Sequence, residues 1–268
     1  MQRNAMSTFN VTITGKGSRT ILFAHGLACD HQVWKKMIPA FQSDYKVVVF
    51  DFIGSGETDP LQFDITKHTN LHGYADDILS ICQEISSEPI IFVGHSVSGM
   101  IGLLASLTNK SIFSNLILIC PSPCYINLPG YQGGFDQADI EDLLALMDEN
   151  YFQWAKFFAP MVIGVNNKNE IADFEDLICK ADPRITRQFA EVAFLSDHRE
   201  DLEKVSVPTV ILQGSEDMVA NSFVSEFMHS KITGSQLKLL AATGHCPHIT
   251  APEETVMVIK KYLETRIK

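Results

Sequence analysis

The chain has 268 residues, which is enough for one α/β domain with a large core and an inserted subdomain. A net charge of -11 argues against a nucleic-acid partner, because such binding depends on Lys and Arg side chains that neutralise phosphates. No run of about eighteen apolar residues predicts a membrane span, and the start MQRNAMSTFN lacks the pattern of a signal peptide, so we expect a cytoplasmic protein.

Six short apolar runs predict the strands of a buried parallel sheet. They cover residues 19–24, 47–50, 90–93, 116–119, 209–212 and 237–240. Apolar residues at helical spacing lie between these runs. The clearest sets are Val33, Met37 and Phe41; Tyr74, Ile78, Ile81 and Ile85; and Val256, Ile259 and Leu263, the last behind a Thr250-x-x-Glu253 capping pattern. This alternation predicts an α/β fold, with a mostly parallel central sheet and helices on both faces.

The alternation breaks between residues 121 and 201, where helical patterns follow one another without a convincing strand. We therefore predict a core of residues 1–120 and 202–268 with an inserted helical lid at 121–201. Five aromatic residues between positions 151 and 158 cannot all face one side of a helix, so some are expected to line a cavity while most pack the lid onto the sheet. The candidate pocket residues are Phe135, Trp154, Phe158, Phe189, Phe194 and Val219.

The sequence VGHSVSGM predicts a nucleophile elbow at Ser96. An apolar strand precedes this serine and a helix-like segment follows it. This context projects the hydroxyl from the sheet edge, and the helix N-terminus behind the serine favours developing negative charge. The strict pattern is G-x-S-x-G, whereas this chain has Ser98 at the last position and Gly99 after it. Because a serine side chain is small, we expect the tight turn to tolerate this departure.

A serine nucleophile needs a base and an acid that orients the base. Asp217 follows the predicted strand at 209–212 and is our candidate acid, with Glu216 as the alternative. His245 follows the strand at 237–240 and is our candidate base, with His248 as the alternative. The chain order Ser, Asp, His is the order that α/β-hydrolases use.

An oxyanion hole is predicted where the strand at 19–24 runs into His25-Gly26-Leu27, because glycine lets the backbone turn its amides toward the nucleophile. We assign the donors to the amides of Leu27 and Val97, one just past the glycine and one just past the nucleophile.

Six pieces of the chain together resemble the RsbQ branch of the α/β-hydrolases, which includes a bacterial stress-response regulator and, more distantly, plant receptors for strigolactone and karrikin. They are HGLACD, VVFDFIGSG, VGHSVSG, PSPCYIN, RQFAEVAFLSDHREDL and GHCPH. The resemblance implies a four-helix, V-shaped lid over a hydrophobic pocket, and it implies the same triad and oxyanion donors as the motifs. One departure is His25, where the regulator has proline and the wider superfamily commonly has histidine.

Two functions from different classes follow from these patterns. The first is a carboxylic-ester hydrolase that acts on a small hydrophobic ester or lactone through an acyl-enzyme. The second is a signalling protein whose pocket binds a small apolar ligand and whose lid surface contacts a partner phosphatase, as the resemblance implies.

Other chemistries have less support. Related haloalkane dehalogenases and epoxide hydrolases need a carboxylate nucleophile, and position 96 is serine. Gly54-Ser55-Gly56 lacks the third glycine of a dinucleotide site, and His245-x-x-His248 lacks the helical His-Glu pattern of a zinc protease. The six cysteines lack metal-site spacing and are expected to be mostly buried free thiols. We predict no cofactor and no metal.

Overall fold

The computed structural model describes residues 4–164 and 168–265. Within the described residues, seven strands form one sheet. The strands are β1 (Thr12–Thr14), β2 (Arg19–Ala24), β3 (Tyr45–Val49), β4 (Ile90–His95), β5 (Phe113–Ile119), β6 (Thr209–Ser215) and β7 (Gln236–Thr243). Their order is β1-β3-β2-β4-β5-β6-β7, and β1 is antiparallel to β3 whereas all other neighbours are parallel.

The α-helices of the described residues are α1 (Ala5–Thr8), α2 (Leu71–Ile85), α3 (Val97–Thr108), α4 (Gln137–Glu149), α5 (Tyr151–Ile163), α6 (Lys168–Lys180), α7 (Pro183–Phe194), α8 (Ser222–Lys231), α9 (Pro247–Thr250) and α10 (Pro252–Glu264). None of these helices is long and apolar enough to cross a bilayer. The six cysteines are free thiols, and all but Cys179 are buried, which confirms the expectation from their spacing.

All six predicted strands are present, and two differences concern the sheet edges. The sequence did not predict β1, which has three residues and is mostly exposed, so it carries no apolar signal. The run at 237–240 was predicted to be buried, but β7 is an edge strand and Leu239 is 69% exposed. An edge strand has a neighbour on one side only, so its outer residues face solvent.

The predicted helix around residues 33–41 is wrong. The chain forms two short 3₁₀ helices there, His31–Trp34 and Ile38–Ala40, although the three apolar side chains on the predicted face are buried. Pro39 explains the break, because its ring lacks an N–H donor and clashes with the preceding turn of a continuous α-helix.

The predicted capping pattern of the last helix is also wrong. Helix α10 begins at Pro252, and the residue at its N-cap is Ala251, which makes no side-chain cap. The hydroxyl of Thr250 instead donates to the carbonyl of Cys246 at 3.2 Å. Proline is favoured in the first turn of a helix, where its missing N–H costs nothing, and it sets the start here.

Helices α4 to α7 lie between β5 and β6, and we call this segment, residues 120–208, the helical insertion. Within it α5 packs against α4 and α6, and α4 packs against α7. The carboxylate of Asp139 accepts from the amide of Asp136 at 3.0 Å in a capping box that begins α4. The predicted lid boundaries, 121 and 201, fall within the connections at the two ends of this segment.

Helix α3 packs tightly on β4 through Gly102. A methyl group at Gly102 would overlap the ring of Phe92, which is fully buried. We expect Gly102→Ala to lower the free energy of unfolding by about 1–3 kcal/mol through overpacking, as measured by urea denaturation. The same substitution in a Phe92→Leu background should cost less, because the ring is gone. Equal costs in the two backgrounds would contradict this close packing.

Candidate active site

Ser96 lies on the turn between β4 and α3, as the elbow pattern predicted. Its backbone has φ 56° and ψ −128°, a conformation that is strained for a residue with a side chain. Two backbone hydrogen bonds hold the turn: the Ser96 amide donates to the carbonyl of Ile119 at 2.8 Å, and the Gly99 amide donates to the carbonyl of Ser96 at 2.9 Å. This backbone conformation points the side chain away from the sheet and toward the loops that follow the other strands.

The departure from the strict motif at Ser98 has a structural explanation. This side chain is fully buried, and its hydroxyl donates to the backbone carbonyl of His25, just past the end of β2. The hydroxyl thus finds a partner that a buried polar group requires. Ser98 thereby links the nucleophile helix to the segment that carries Leu27.

The three candidate triad residues come together at the carboxyl edge of the sheet. Nε2 of His245 lies 2.8 Å from Oγ of Ser96, and Nδ1 of His245 lies 2.8 Å from Oδ2 of Asp217. All three side chains are buried, with Ser96 exposed to 7%. The geometry allows a proton to pass from the hydroxyl to the imidazole while the carboxylate fixes the ring.

The surroundings of Asp217 favour its ionised form. Burial pushes the pKa of Asp217 upward, but the neighbouring His245 and the amides of Val219 and Ala220, which donate to Oδ1 at 2.8 and 2.9 Å, hold that pKa below its ordinary value. The alternative acid, Glu216, is exposed, and within the described residues it makes no hydrogen bond or ion pair with His245. The chain therefore places a charged carboxylate behind the imidazole.

Backbone hydrogen bonds fix His245 from two sides. Its carbonyl accepts from Nε2 of His95 at 2.9 Å, and its amide donates at 2.9 Å to the carbonyl of Val162, in the last turn of α5. The final carbonyls of a helix lack intrahelical donors, so the Val162 carbonyl is available for this bond. The position of the imidazole therefore depends on the helical insertion as well as on the sheet.

The alternative base, His248, is fully buried and packs its ring against Trp34 at 4.5 Å and His95 at 4.4 Å. Burial lowers the pKa of His248 to about 3, so its imidazole is neutral at physiological pH. His95, Cys246 and His248 also have potential metal-ligand atoms within 4.8 Å of one another. Nε2 of His95 already donates to a carbonyl, so this nitrogen does not serve as a metal ligand. The rings of His95 and His248 form a packing layer beneath His245.

A narrow cavity opens over Ser96 and His245. Three of the six candidate pocket residues line it: Phe158 from α5, Phe194 from α7, and Val219 after β6. Leu27 and Val97 also line it, beside Ser96. Val97 is the first residue of α3, so its amide has no acceptor within the helix. The two predicted oxyanion donors thus belong to residues that border the nucleophile.

The other three candidate pocket residues do not line this cavity. Trp154 stacks behind Phe158 with ring centroids 4.8 Å apart. Phe189 stacks on Tyr74 of α2 at 4.2 Å, and Phe135 packs edge-on against Phe194 at 6.3 Å. The sequence shows that these side chains are apolar, but which face of an inserted helix meets the cavity depends on packing partners distant in the chain.

Sequence reasoning missed Tyr125, a polar side chain outside the candidate triad that contacts the nucleophile from the cavity wall. Its hydroxyl lies 3.3 Å from Oγ of Ser96. Burial raises the pKa of Tyr125, so the phenol keeps its proton, and because the Ser96 hydroxyl donates to His245, the phenol donates to Ser96. Tyr125 belongs to PSPCYIN, one of the six pieces that carry the family resemblance. The position of this segment directly after β5 was the available signal for a site residue.

The loop that bears Leu27 is held by an ion pair outside the cavity. The amide of His31 donates to Oδ1 of Asp51 at 2.7 Å, and Nδ1 of His31 lies 2.9 Å from the same oxygen. Asn10 donates to Oδ2 of Asp51 at 2.8 Å. Ala28 has a positive φ of 57°, which turns the chain between Leu27 and this anchor. The buried carboxylate therefore fixes the end of the predicted oxyanion loop.

A family model described as the alpha/beta hydrolase fold matches residues 19–252 of the chain. The sequence is 37% identical over 256 residues to a karrikin insensitive 2 receptor of Petunia hybrida, covering 95% of both chains. It is 34% identical to a strigolactone esterase of Arabidopsis thaliana, covering 98% of both. The structure matches that of a hydrolase from Oleispira antarctica with a TM-score of 0.94 and 37% identity, covering 97% of this chain and 96% of the other.

The His31–Asp51 pair predicts a pH-dependent contribution to stability. The Asp51 carboxylate raises the pKa of His31 above its ordinary value of about 6.5, so this stabilisation is complete below that value and is lost as pH rises through the folded-state pKa. We expect His31→Gln to lower the free energy of unfolding by on the order of 1 kcal/mol near pH 6, and by less near pH 9. Urea titrations at both pH values measure this difference.

The exposed His72 gives a matched control, because it lies on α2 away from Asp51. His72→Gln should follow the wild type at both pH values. A stability deficit of His31→Gln that is the same at both pH values would contradict a contribution from the charged pair.

Proposed function

The chain belongs to the α/β-hydrolase fold family, and from this premise we propose that it is a serine hydrolase that cleaves a small hydrophobic ester or lactone through an acyl-enzyme on Ser96. The observation that carries the proposal is the buried relay in which His245 lies 2.8 Å from both Ser96 and Asp217 at the floor of an apolar cavity. This relay combines a nucleophile, a base and an orienting acid.

In the first half of the reaction, Oγ of Ser96 attacks the carbonyl carbon of the ester while Nε2 of His245 takes the hydroxyl proton. The amides of Leu27 and Val97 stabilise the negative charge that develops on the carbonyl oxygen. Asp217 stabilises the imidazolium. As the tetrahedral intermediate collapses, the imidazolium returns the proton to the leaving alkoxide, which departs as an alcohol.

In the second half, a water molecule replaces the alcohol. His245 removes a proton from this water, and the resulting hydroxide attacks the acyl-enzyme. Collapse of the second intermediate releases the carboxylic acid and returns the proton to Oγ of Ser96. For a lactone the alcohol and the acid are parts of one molecule. The alcohol therefore stays attached to the acyl-enzyme, and one product, a hydroxy acid, is released at the end of the second half.

The walls of the cavity favour an apolar substrate of modest size. Phe158, Phe194 and Val219 provide hydrophobic contacts, whereas Tyr125 is a polar group close to the reacting carbonyl. Three of these four side chains, Tyr125, Phe158 and Phe194, belong to the helical insertion, which we propose acts as the lid of the site and limits the access of water.

Replacing the nucleophile gives the first test. We expect Ser96→Ala to reduce kcat for p-nitrophenyl acetate by about 10⁴-fold or more, and intact-mass spectra to show an acyl adduct on the wild type but not on the variant. Ser111→Ala is the matched control, since this exposed serine contacts Asn109. Turnover by Ser96→Ala at the wild-type rate would exclude the mechanism.

A second candidate function is signalling, in which the same pocket senses a small apolar ligand with little turnover. The similarity of the whole chain to a protein named as a karrikin receptor favours it. In this role, the resemblance to the RsbQ branch points to a stress response in the cytoplasm, with a partner phosphatase that contacts the lid surface. The two functions share one site and are compatible.

Ligand-dependent association tests this second candidate. We expect a karrikin or a strigolactone to raise the Tm of Ser96→Ala by several degrees at saturating concentration, and a co-encoded phosphatase to bind the protein in the presence of that ligand. Size-exclusion chromatography with and without ligand measures the association. Steady ester turnover with neither a Tm shift nor phosphatase binding would leave the hydrolase function and reject the signalling role.

A further inference from the structure

A second concave surface lies directly beside the catalytic cavity, at the seam between the core and the helical insertion. This groove has a volume of about 90 Å³. Its apolar floor consists of Val33 from the core, Leu177 and Phe174 from α6, and Ile249 from α9. The mechanism proposed above does not use it.

Phe174 is the residue that the groove and the catalytic cavity share. It is 3% exposed and lines both spaces. Within the described residues, no other residue lines both of them. The two spaces therefore meet at Phe174.

A lysine bridges the two sides of the groove at one end. Nζ of Lys36 donates to the carboxylate of Glu170 on α6 at 3.1 Å and to the carbonyl of Ile249 at 3.1 Å. The groove is therefore bordered by charged and polar groups around its apolar floor, as is typical of a site for an apolar chain.

We infer that this groove is an outer subsite for the alkyl chain of an ester whose carbonyl carbon lies at Ser96, and that Phe174 is the residue that limits chain length. The inference rests on the proposed hydrolase function. A short acyl group fits the narrow cavity and leaves the ring in place. A longer chain extends past the ring onto Val33, Leu177 and Ile249, where it is removed from water.

Chain-length selectivity tests the role of Phe174. In kinetics with p-nitrophenyl acetate and p-nitrophenyl octanoate, we expect Phe174→Ala to raise the octanoate-to-acetate ratio of kcat/KM by about tenfold or more. Because removal of a buried ring can prevent folding, Phe174→Leu is measured in parallel and should raise the ratio by a smaller factor. Phe157→Ala is the matched control, since that ring is 59% exposed and lines neither space.

A second substitution distinguishes the groove from simple enlargement of the cavity. Leu177 lines the groove but not the cavity, so Leu177→Trp is expected to fill the outer subsite. In the Phe174→Leu background it should return the octanoate-to-acetate ratio of kcat/KM toward the wild-type value.

The outcomes separate this inference from the proposed function. If the wild type shows no Ser96-dependent hydrolysis of p-nitrophenyl acetate, the hydrolase function itself is overturned. Wild-type acetate hydrolysis with no gain for octanoate in a folded Phe174→Leu or Phe174→Ala protein would overturn the outer subsite. A gain that survives Leu177→Trp would also overturn it, because the chain would then occupy the enlarged cavity.

Discussion

The position of His245 is the constraint on which the active site depends. The imidazole follows an edge strand, β7, so the sheet supports it from one side only. The missing support comes from α5, whose Val162 carbonyl accepts the His245 amide, and from a contact in which Gly164 and Gly244 approach so closely that neither has room for a side chain. Both glycines have positive φ, which allows the two backbones to meet. The helical insertion therefore helps to orient the imidazole of the candidate base.

The insertion contributes to the cavity wall as well as to the position of the base. Helix α5, which is hydrogen-bonded to His245, supplies Phe158, and the neighbouring helices α6 and α7 supply Phe174 and Phe194. The cavity wall and the support of the imidazole therefore belong to one packed layer. This arrangement is compatible with both proposed functions, since differential contacts of a ligand with this layer can shift the equilibrium between its conformations.

On the other side of the site, strain is localised at Ser96 and is supported by its neighbours. The strained backbone of this residue is held by the carbonyl of Ile119, and Ser98 ties the following helix to His25. The loop that follows His25 ends at His31, whose amide donates to the buried carboxylate of Asp51. Asn10 donates to the same carboxylate. Nucleophile and predicted oxyanion donors are therefore set by one continuous network rather than by independent loops.

The sequence by itself determined the α/β architecture and the three residues that meet at the cavity floor. Its signals were local: apolar runs marked the strands, and in a parallel sheet the loops after such strands share one edge, which brings Ser96, Asp217 and His245 together. Only the tertiary structure decided which insertion side chains face the cavity, that Tyr125 contacts the nucleophile, and that Phe174 lines two spaces. These features depend on contacts between segments distant in the chain, and an apolar pattern shows that a helix face is buried without showing what it is buried against.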